Sequence, residues 1–328
     1  MSDGTIYGFQ AHLSPEFPSQ VIIDVTEHCN LACVHCPHPE YAKTNKWTGC
    51  HLTLAIHNRA IDEIATAGKG ICQYVRYTAN GEPLINPSFL DMVKYAGQRL
   101  DHCSINVTTN AKSLNERRAL ALLNAGVNVI DISLDAFKPE TYARIRKKGD
   151  LHKTKQNVLQ LLDLIQQGDF ETKLVVSFVR QPLNEGEADD FEKYWKHQGV
   201  HFVVIRRLHS AGGAKTEHVK PETERYPCLY PWERITLAPD GALHFCPQDW
   251  EHGSEICSLA GTSLQEVWQG DVMQALRKAH LDSDFSCHRF CGKCPDWSTT
   301  RWPCQGRSYS NLMRELVPAD LLAEGAFA

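Results

Sequence analysis

Cys29-Asn30-Leu31-Ala32-Cys33-Val34-His35-Cys36 is the stretch on which the reading of this chain turns. Its three cysteines are spaced C-x3-C-x2-C and follow a short apolar run, Val21 to Val25, that reads as a strand. Three thiolates on one tight loop make a poor structural zinc site, because such sites close around four ligands. They suit an iron–sulfur cluster short of one protein ligand, since a four-iron cube held by three cysteines keeps one iron open to bind something else. Three unconnected buried thiols is the bland alternative, and the density of cysteine within eight residues argues against it.

Composition narrows the class. The chain has 328 residues, 42% hydrophobic and 22% charged, as in an ordinary globular protein of one large domain or two. A net charge of −5 offers no positive field to recruit phosphates, which excludes nonspecific nucleic-acid binding. No apolar run approaches the ~18 residues of a membrane span. Met1 to Gln10 lacks the basic start and apolar stretch of a secretory signal, so a cytoplasmic location is expected. In a reducing compartment, 13 cysteines more often hold metal or do chemistry than form disulfides. None lies between Cys103 and Cys228, and that gap divides the chain.

The front two-thirds alternates β-rich runs with helical patterns, the mark of βα units and a parallel sheet. Strands are expected at Val21–Val25, Gln73–Tyr77, Ser104–Thr108, Val129–Ser133, Leu174–Val179 and Phe202–Arg206. Helical spacing recurs at Leu54/Ile56/Ala60/Ile61/Ile64, Phe89/Leu90/Val93/Ala96, Leu120/Leu123 and Val158/Leu161/Leu162/Ile165. Gly68, Gly126 and Gly168 stand where left-handed caps are wanted. The expected division is an N-terminal extension (1–17), an α/β unit (18–212), a polar connector (213–226) and a cysteine-rich unit (227–328).

The cysteine loop resembles the signature of the radical S-adenosylmethionine (radical SAM) superfamily. The resemblance implies a partial (β/α)6 TIM-type barrel, with SAM chelated to the open iron of a [4Fe–4S] cluster on Cys29, Cys33 and Cys36. In such barrels ligands gather at the carboxyl ends of the strands. Asn80-Gly81-Glu82-Pro83, after the second strand, resembles the family's Gly-Gly-Glu-Pro motif, which holds the SAM amino group. Asn80 replaces the first glycine there, as the next residue best able to take positive φ. Thr109-Asn110 and Ser133 with Asp135 resemble positions near the SAM ribose and methionine. Arg146 reads either as a contact to the SAM carboxylate or substrate, or as a solvated basic helix end. Arg180 is likewise a ligand-facing or a rim charge, and of Arg206 and Arg207 only one can face the interior.

From Cys228 the character changes. Arg234–Leu237, the turn Pro239-Asp240-Gly241-Ala242 and Leu243–Phe245 read as a hairpin that brings Cys228 toward Cys246. A helix, Leu264–Ala279, precedes Cys287-x3-Cys291-x2-Cys294. Spacing alone also allows a zinc ribbon. With the upstream loop, the pattern resembles the SPASM and twitch extensions that carry auxiliary iron–sulfur clusters. The shorter form, with one auxiliary [4Fe–4S] cluster on Cys228, Cys246, Cys291 and Cys294, fits best. The alternative is that Cys287 replaces a ligand, or that Cys257, Cys287 and Cys304 help build a second cluster. Cys50, Cys72 and Cys103 read as buried small hydrophobes.

The resemblance implies reductive cleavage of SAM by an external one-electron donor of flavodoxin or ferredoxin type, then hydrogen abstraction from a substrate carbon. Two outcomes fit a small sugar or aminocyclitol substrate. Oxidation would pass an electron to the auxiliary cluster, as in butirosin-type dehydrogenases. Epimerisation would need a thiol donor, with Cys257, Cys287 and Cys304 as candidates. Peptide maturation is a third branch, disfavoured because only about twenty residues precede the first strand. A non-catalytic electron carrier would leave Asn80–Pro83 without a purpose.

Overall fold

The structure is a computed structural model and describes residues 13–219, 225 and 227–299. All six expected strands form: β1 (Gln20–Ile23), β3 (Tyr74–Tyr77), β4 (Ser104–Thr109), β5 (Val129–Ser133), β7 (Lys173–Arg180) and β8 (Phe202–Arg207). They pair in parallel in the order β1-β3-β4-β5-β7-β8. Between the named strands lies a two-stranded ladder, β2 (Ala32–Cys33) with β6 (Arg146–Lys147).

Side-chain alternation sorts this sheet into two faces. Val21, Ile23, Val75, Tyr77, Ile105, Val107, Ile130, Ile132, Val176 and Phe178 point outward into one apolar core. Helices Leu54–Thr66, Phe89–Arg99, Glu116–Asn124, Leu151–Gln167 and Ala188–Gln198 supply its other wall, including the fully buried Phe191 and Trp195. The inner face is polar. Arg206 reaches inward and donates to Asp131 at 2.5 Å, while Arg207 is exposed. Arg180 shares the parity of Val176 and Phe178, so it faces away from the mouth and is exposed. Of its two expected roles, this position suits the rim charge.

The cysteine-rich unit does not stand apart from this sheet. β9 (Arg234–Leu237) pairs in parallel with β1, Gln20 opposite Arg234 through Ile23 opposite Leu237. β10 (Ala242–His244) and β11 (Glu255–Ser258) then continue the sheet antiparallel. The hairpin was legible; its pairing with β1 and the strand β11 were not. At the front, Phe17 is fully buried, and the carbonyls of Ser14 and Glu16 accept from Trp268 and Gln269 of the helix Leu264–Gln269. The expected helix Leu264–Ala279 is two helices, Leu264–Gln269 and Asp271–Asp282, parted at Gly270. Of the expected glycine caps only Gly126 is left-handed (φ +75°). After the other two helices the left-handed residues are Gly70 and Asp169, one or two positions later than Gly68 and Gly168.

Candidate active site at the barrel mouth

The cysteine loop is held in place by backbone and carboxylates together. Cys33 lies opposite Arg146 in the β2–β6 ladder, and Val34 N donates to the Ile145 carbonyl (2.9 Å). Glu27, just before the loop, gathers the chain that follows it. One carboxylate oxygen accepts from Thr48 N and Gly49 N, and the other from the Tyr41 hydroxyl (2.7 Å). Burial pushes the Glu27 carboxyl up, but these donors outweigh it and hold it below its ordinary range.

Gly81 packs its backbone against the same segment. A Cβ there would lie 1.9 Å from the Thr26 carbonyl oxygen and 2.8 Å from that of His28. Glycine is therefore required for close approach. The positive φ of this loop belongs to Ala79 (115°), not to Asn80 as expected. Glu82 is buried and accepts from the Thr109 hydroxyl, Asn110 N (2.8 Å) and Leu84 N (3.3 Å). Asn110 Nδ2 in turn donates to Asn30 (2.8 Å). Glu82, Thr109 and Asn110 are thus engaged with one another, locking the motif loop, the end of β4 and the cysteine loop together. Asp135, at φ +60°, takes both Nε (2.9 Å) and Nη2 (2.6 Å) of Arg146, with both side chains buried. Arg146 is accordingly not a solvated helix end. Ser133 ends β5 half-buried on the inner face, and Pro83 opens a short turn beneath the loop.

Burial pushes the thiols of Cys29 and Cys36 up to about 12 and raises that of Cys33. In the second region the thiols of Cys228, Cys246, Cys291 and Cys294 sense one another's charge, so the fold brings these four together from a span of 67 residues. Burial and this mutual repulsion raise Cys246 and Cys291, while burial and the nearby Asp296 carboxylate push Cys294 up to about 12. Arg225 sits beside them, its guanidinium 3.8 Å from the Phe285 ring centre and bonded to the Cys291 carbonyl (2.7 Å). Among the described residues, no three thiols of either set come within 4.8 Å of one another. A single zinc needs sulfurs about 3.8 Å apart, the edge of a tetrahedron with ~2.3 Å bonds. Buried soft donors at wider spacing, unfavourable as free thiolates, fit a multi-iron cluster better than one ion.

The leftover cysteines are dispersed. Cys287 is exposed, outside the four-thiol group. Cys257 lies opposite Leu243 and packs on the outer core, away from the mouth, which corrects its expected role as hydrogen donor. Cys304 lies outside the described residues. Cys72 and Cys103 are buried together, sulfurs 3.9 Å apart. Cys50 is half-buried and not the buried small hydrophobe expected; burial, with Glu27 and Asp240 nearby, raises its thiol.

A pocket lined by both acidic and apolar residues opens between the cysteine-loop segment, the motif loop and the hairpin. Asp24, Glu27, Ala79 and Asn80 line it from the barrel, and Asp240, His244, Cys246, Asp249 and His252 from the hairpin side. Asp24 is buried and accepts from Asn80 N (3.0 Å); burial, partly offset by backbone donors, raises its carboxyl to about 7. Sequence reasoning missed Asp24, His244, Asp249 and His252, whose only signal was proximity to Cys246 and to the first strand. Among the described residues no helix is long and apolar enough to cross a membrane.

Comparison with known proteins agrees with this geometry. The profile of the radical SAM superfamily matches residues 23–190, and that of the SPASM iron–sulfur cluster-binding domain matches residues 228–295. A GTP 3′,8-cyclase of Listeria welshimeri is 30% identical over 61% of this chain and 57% of the cyclase. The mycofactocin maturase MftC of Mycobacterium ulcerans is 27% identical over 68% of this chain and 58% of the maturase. The chain thus matches somewhat under three-fifths of the length of these relatives. The crystal structure of BtrN in complex with AdoMet and 2-DOIA superimposes with a TM-score of 0.57 at 16% identity, covering 84% of this chain and 92% of BtrN. It shares the fold. The matched domains carry SAM and [4Fe–4S] clusters as cofactors. With that superfamily's profile spanning half the sequence and both thiol sets lying inside the matched ranges, this chain belongs to the radical SAM superfamily and bears a SPASM domain behind its barrel.

Proposed function

We propose that this enzyme removes hydrogen from a carbon of a small, polar, uncharged or cationic metabolite of sugar or aminocyclitol type, oxidising it. One observation carries the reading. The pocket joins Asn80 of the motif loop to Cys246 of the four-thiol set, and four carboxylates but no Lys or Arg line it among the described residues. Such a lining favours hydroxyl and ammonium groups and disfavours a triphosphate.

In this reading Cys29, Cys33 and Cys36 hold the SAM-binding cluster, and Cys228, Cys246, Cys291 and Cys294 hold one auxiliary cluster. Together with SAM and an external flavodoxin- or ferredoxin-type reductant, these groups supply hydrogen abstraction from an unactivated C–H bond and an outlet for one electron. The chain's own residues do the rest. Asp24, poised near neutrality at the pocket wall, accepts the hydroxyl proton as the carbon becomes a carbonyl. The cross-bonded Glu82, Thr109, Asn110 and Asn30 brace the motif loop that carries Asn80 into the pocket. Among the described residues no cysteine other than Cys246 lines the pocket, which favours oxidation over thiol-dependent epimerisation.

Anaerobic turnover with aminocyclitols and amino sugars in deuterated water tests this. A product oxidised by two electrons is expected. Deuterium at an inverted stereocentre, with no net oxidation, would establish epimerisation instead. Similarity to a maturase favours a second reading, modification of a peptide; a mass change on a peptide with none on sugars would select it.

A further inference from the structure

We infer that His244, His252 and Glu255 form a binding site for a divalent cation of the zinc class, separate from both sets of thiols. One ligand atom from each lies within 4.8 Å of the other two. Bond directions around the two rings carry the inference further.

Ser254 Oγ donates to Asp249 Oδ2 (2.7 Å), and both oxygens face His244 Nδ1, at 3.3 and 3.5 Å. Two acceptors turned toward one nitrogen place the proton on Nδ1 and leave Nε2 bare. That Nε2 is buried, on a side chain 5% exposed, and has no partner. An unpartnered polar atom at such depth is costly unless something binds it. The Tyr41 hydroxyl donates to the Glu27 carboxylate (2.7 Å), so its oxygen can only accept from His252 Nε2 (3.2 Å). The proton of His252 is therefore on Nε2, and its bare Nδ1 faces Glu255 Oε2 at 3.9 Å. Two imidazoles, each with a bare nitrogen, and a carboxylate gathered this closely are stabilised by a cation among them.

Each ring is oriented by an outer oxygen, Asp249 for His244 and Tyr41 for His252, which is how metal-ligating histidines are held. Two nitrogens and one carboxylate oxygen suit zinc, and three protein ligands leave a position open. His244 and His252 line the pocket, so that position is available to a hydroxyl or amine there.

The test uses holoenzyme with both clusters filled, so that the thiols assigned to them are occupied, titrated anaerobically with Zn²⁺ against a chromophoric chelator. Metal content is read in parallel, with iron as the check on the clusters. One zinc per chain is expected beyond the iron. His252→Ala and Glu255→Gln should abolish it with iron unchanged. Tyr41→Phe, which removes the outer partner of His252 together with one donor to Glu27, should weaken it by about 10–100-fold with iron unchanged. No stoichiometric zinc, or equal zinc in His252→Ala, overturns the site; a protonated His252 paired with Glu255 then accounts for the geometry. Because the readout is metal content, failure here leaves the proposed reaction untouched.

Discussion

The two thiol sets solve one problem by opposite routes. The first takes its three cysteines from eight consecutive residues, so nearly all its geometry is local. The second takes four from a span of 67 residues, and needs a hairpin, a buried core and a further helix to gather them. The first is flanked by a buried arginine neutralised by its own carboxylate, Arg146 with Asp135. The second has Arg225, half-buried and, among the described residues, set against ring faces and carbonyls beside the thiols. A locally specified loop can present an open ligand position, because the surrounding strand ends brace it. A set assembled from distant segments gains its stability by being closed.

The largest effect that would break this comparison is the loss of the first set. Replacing Cys29, Cys33 and Cys36 together by Ala should abolish SAM cleavage under dithionite and lower iron from about eight to about four per chain. Cleavage at the wild-type rate would refute the assignment. Cys246→Ala should do the converse. SAM cleavage persists, iron falls to about four, and substrate product disappears; unchanged product would deny the second set a part in the reaction.

Asp135→Asn strands the Arg146 charge in the interior, and a broken buried pair costs ~3–5 kcal/mol. Denaturant unfolding should show that loss, whereas Arg225→Met should cost only ~1 kcal/mol because a cation–π contact is worth about that. Equal losses would erase the contrast between the two arginines. The pH dependence is finer still. Asp24, raised to about 7, keeps its proton in the folded chain where the unfolded chain has lost it. Its contribution is complete below about pH 4 and is lost as pH rises through about 7. Relative to Asp24→Asn, the wild type should lose ~2 kcal/mol between about pH 5.5 and 7.5. A constant difference would place that carboxyl in water.

What the sequence made legible follows the same division. Six strands were readable because each carries its own apolar alternation and punctuation, and C-x3-C-x2-C spoke for itself. The pairing of β9 with β1 was not readable, since Arg234-Ile235-Thr236-Leu237 alternates equally well beside any neighbour. Glu82 and Arg146 stood out in the sequence as candidate site residues, yet their partners Thr109, Asn110 and Asp135 come from other strand ends. Spacing cannot report such cross-loop bonds. Nor can it report that Gly81 is needed for room, which only the carbonyl of Thr26 explains. The helix that broke at Gly270 kept its apolar spacing through the break, so periodicity alone ran the two pieces together.

The ladder between β1 and β9 has a further consequence. Because Asp24 N also bonds to the Leu237 carbonyl, the strand that leads to Cys29 and the hairpin that delivers Cys246 advance in fixed step. The spacing between the two thiol sets is thereby tied to sheet register, so a change in that spacing would have to break backbone bonds of the ladder.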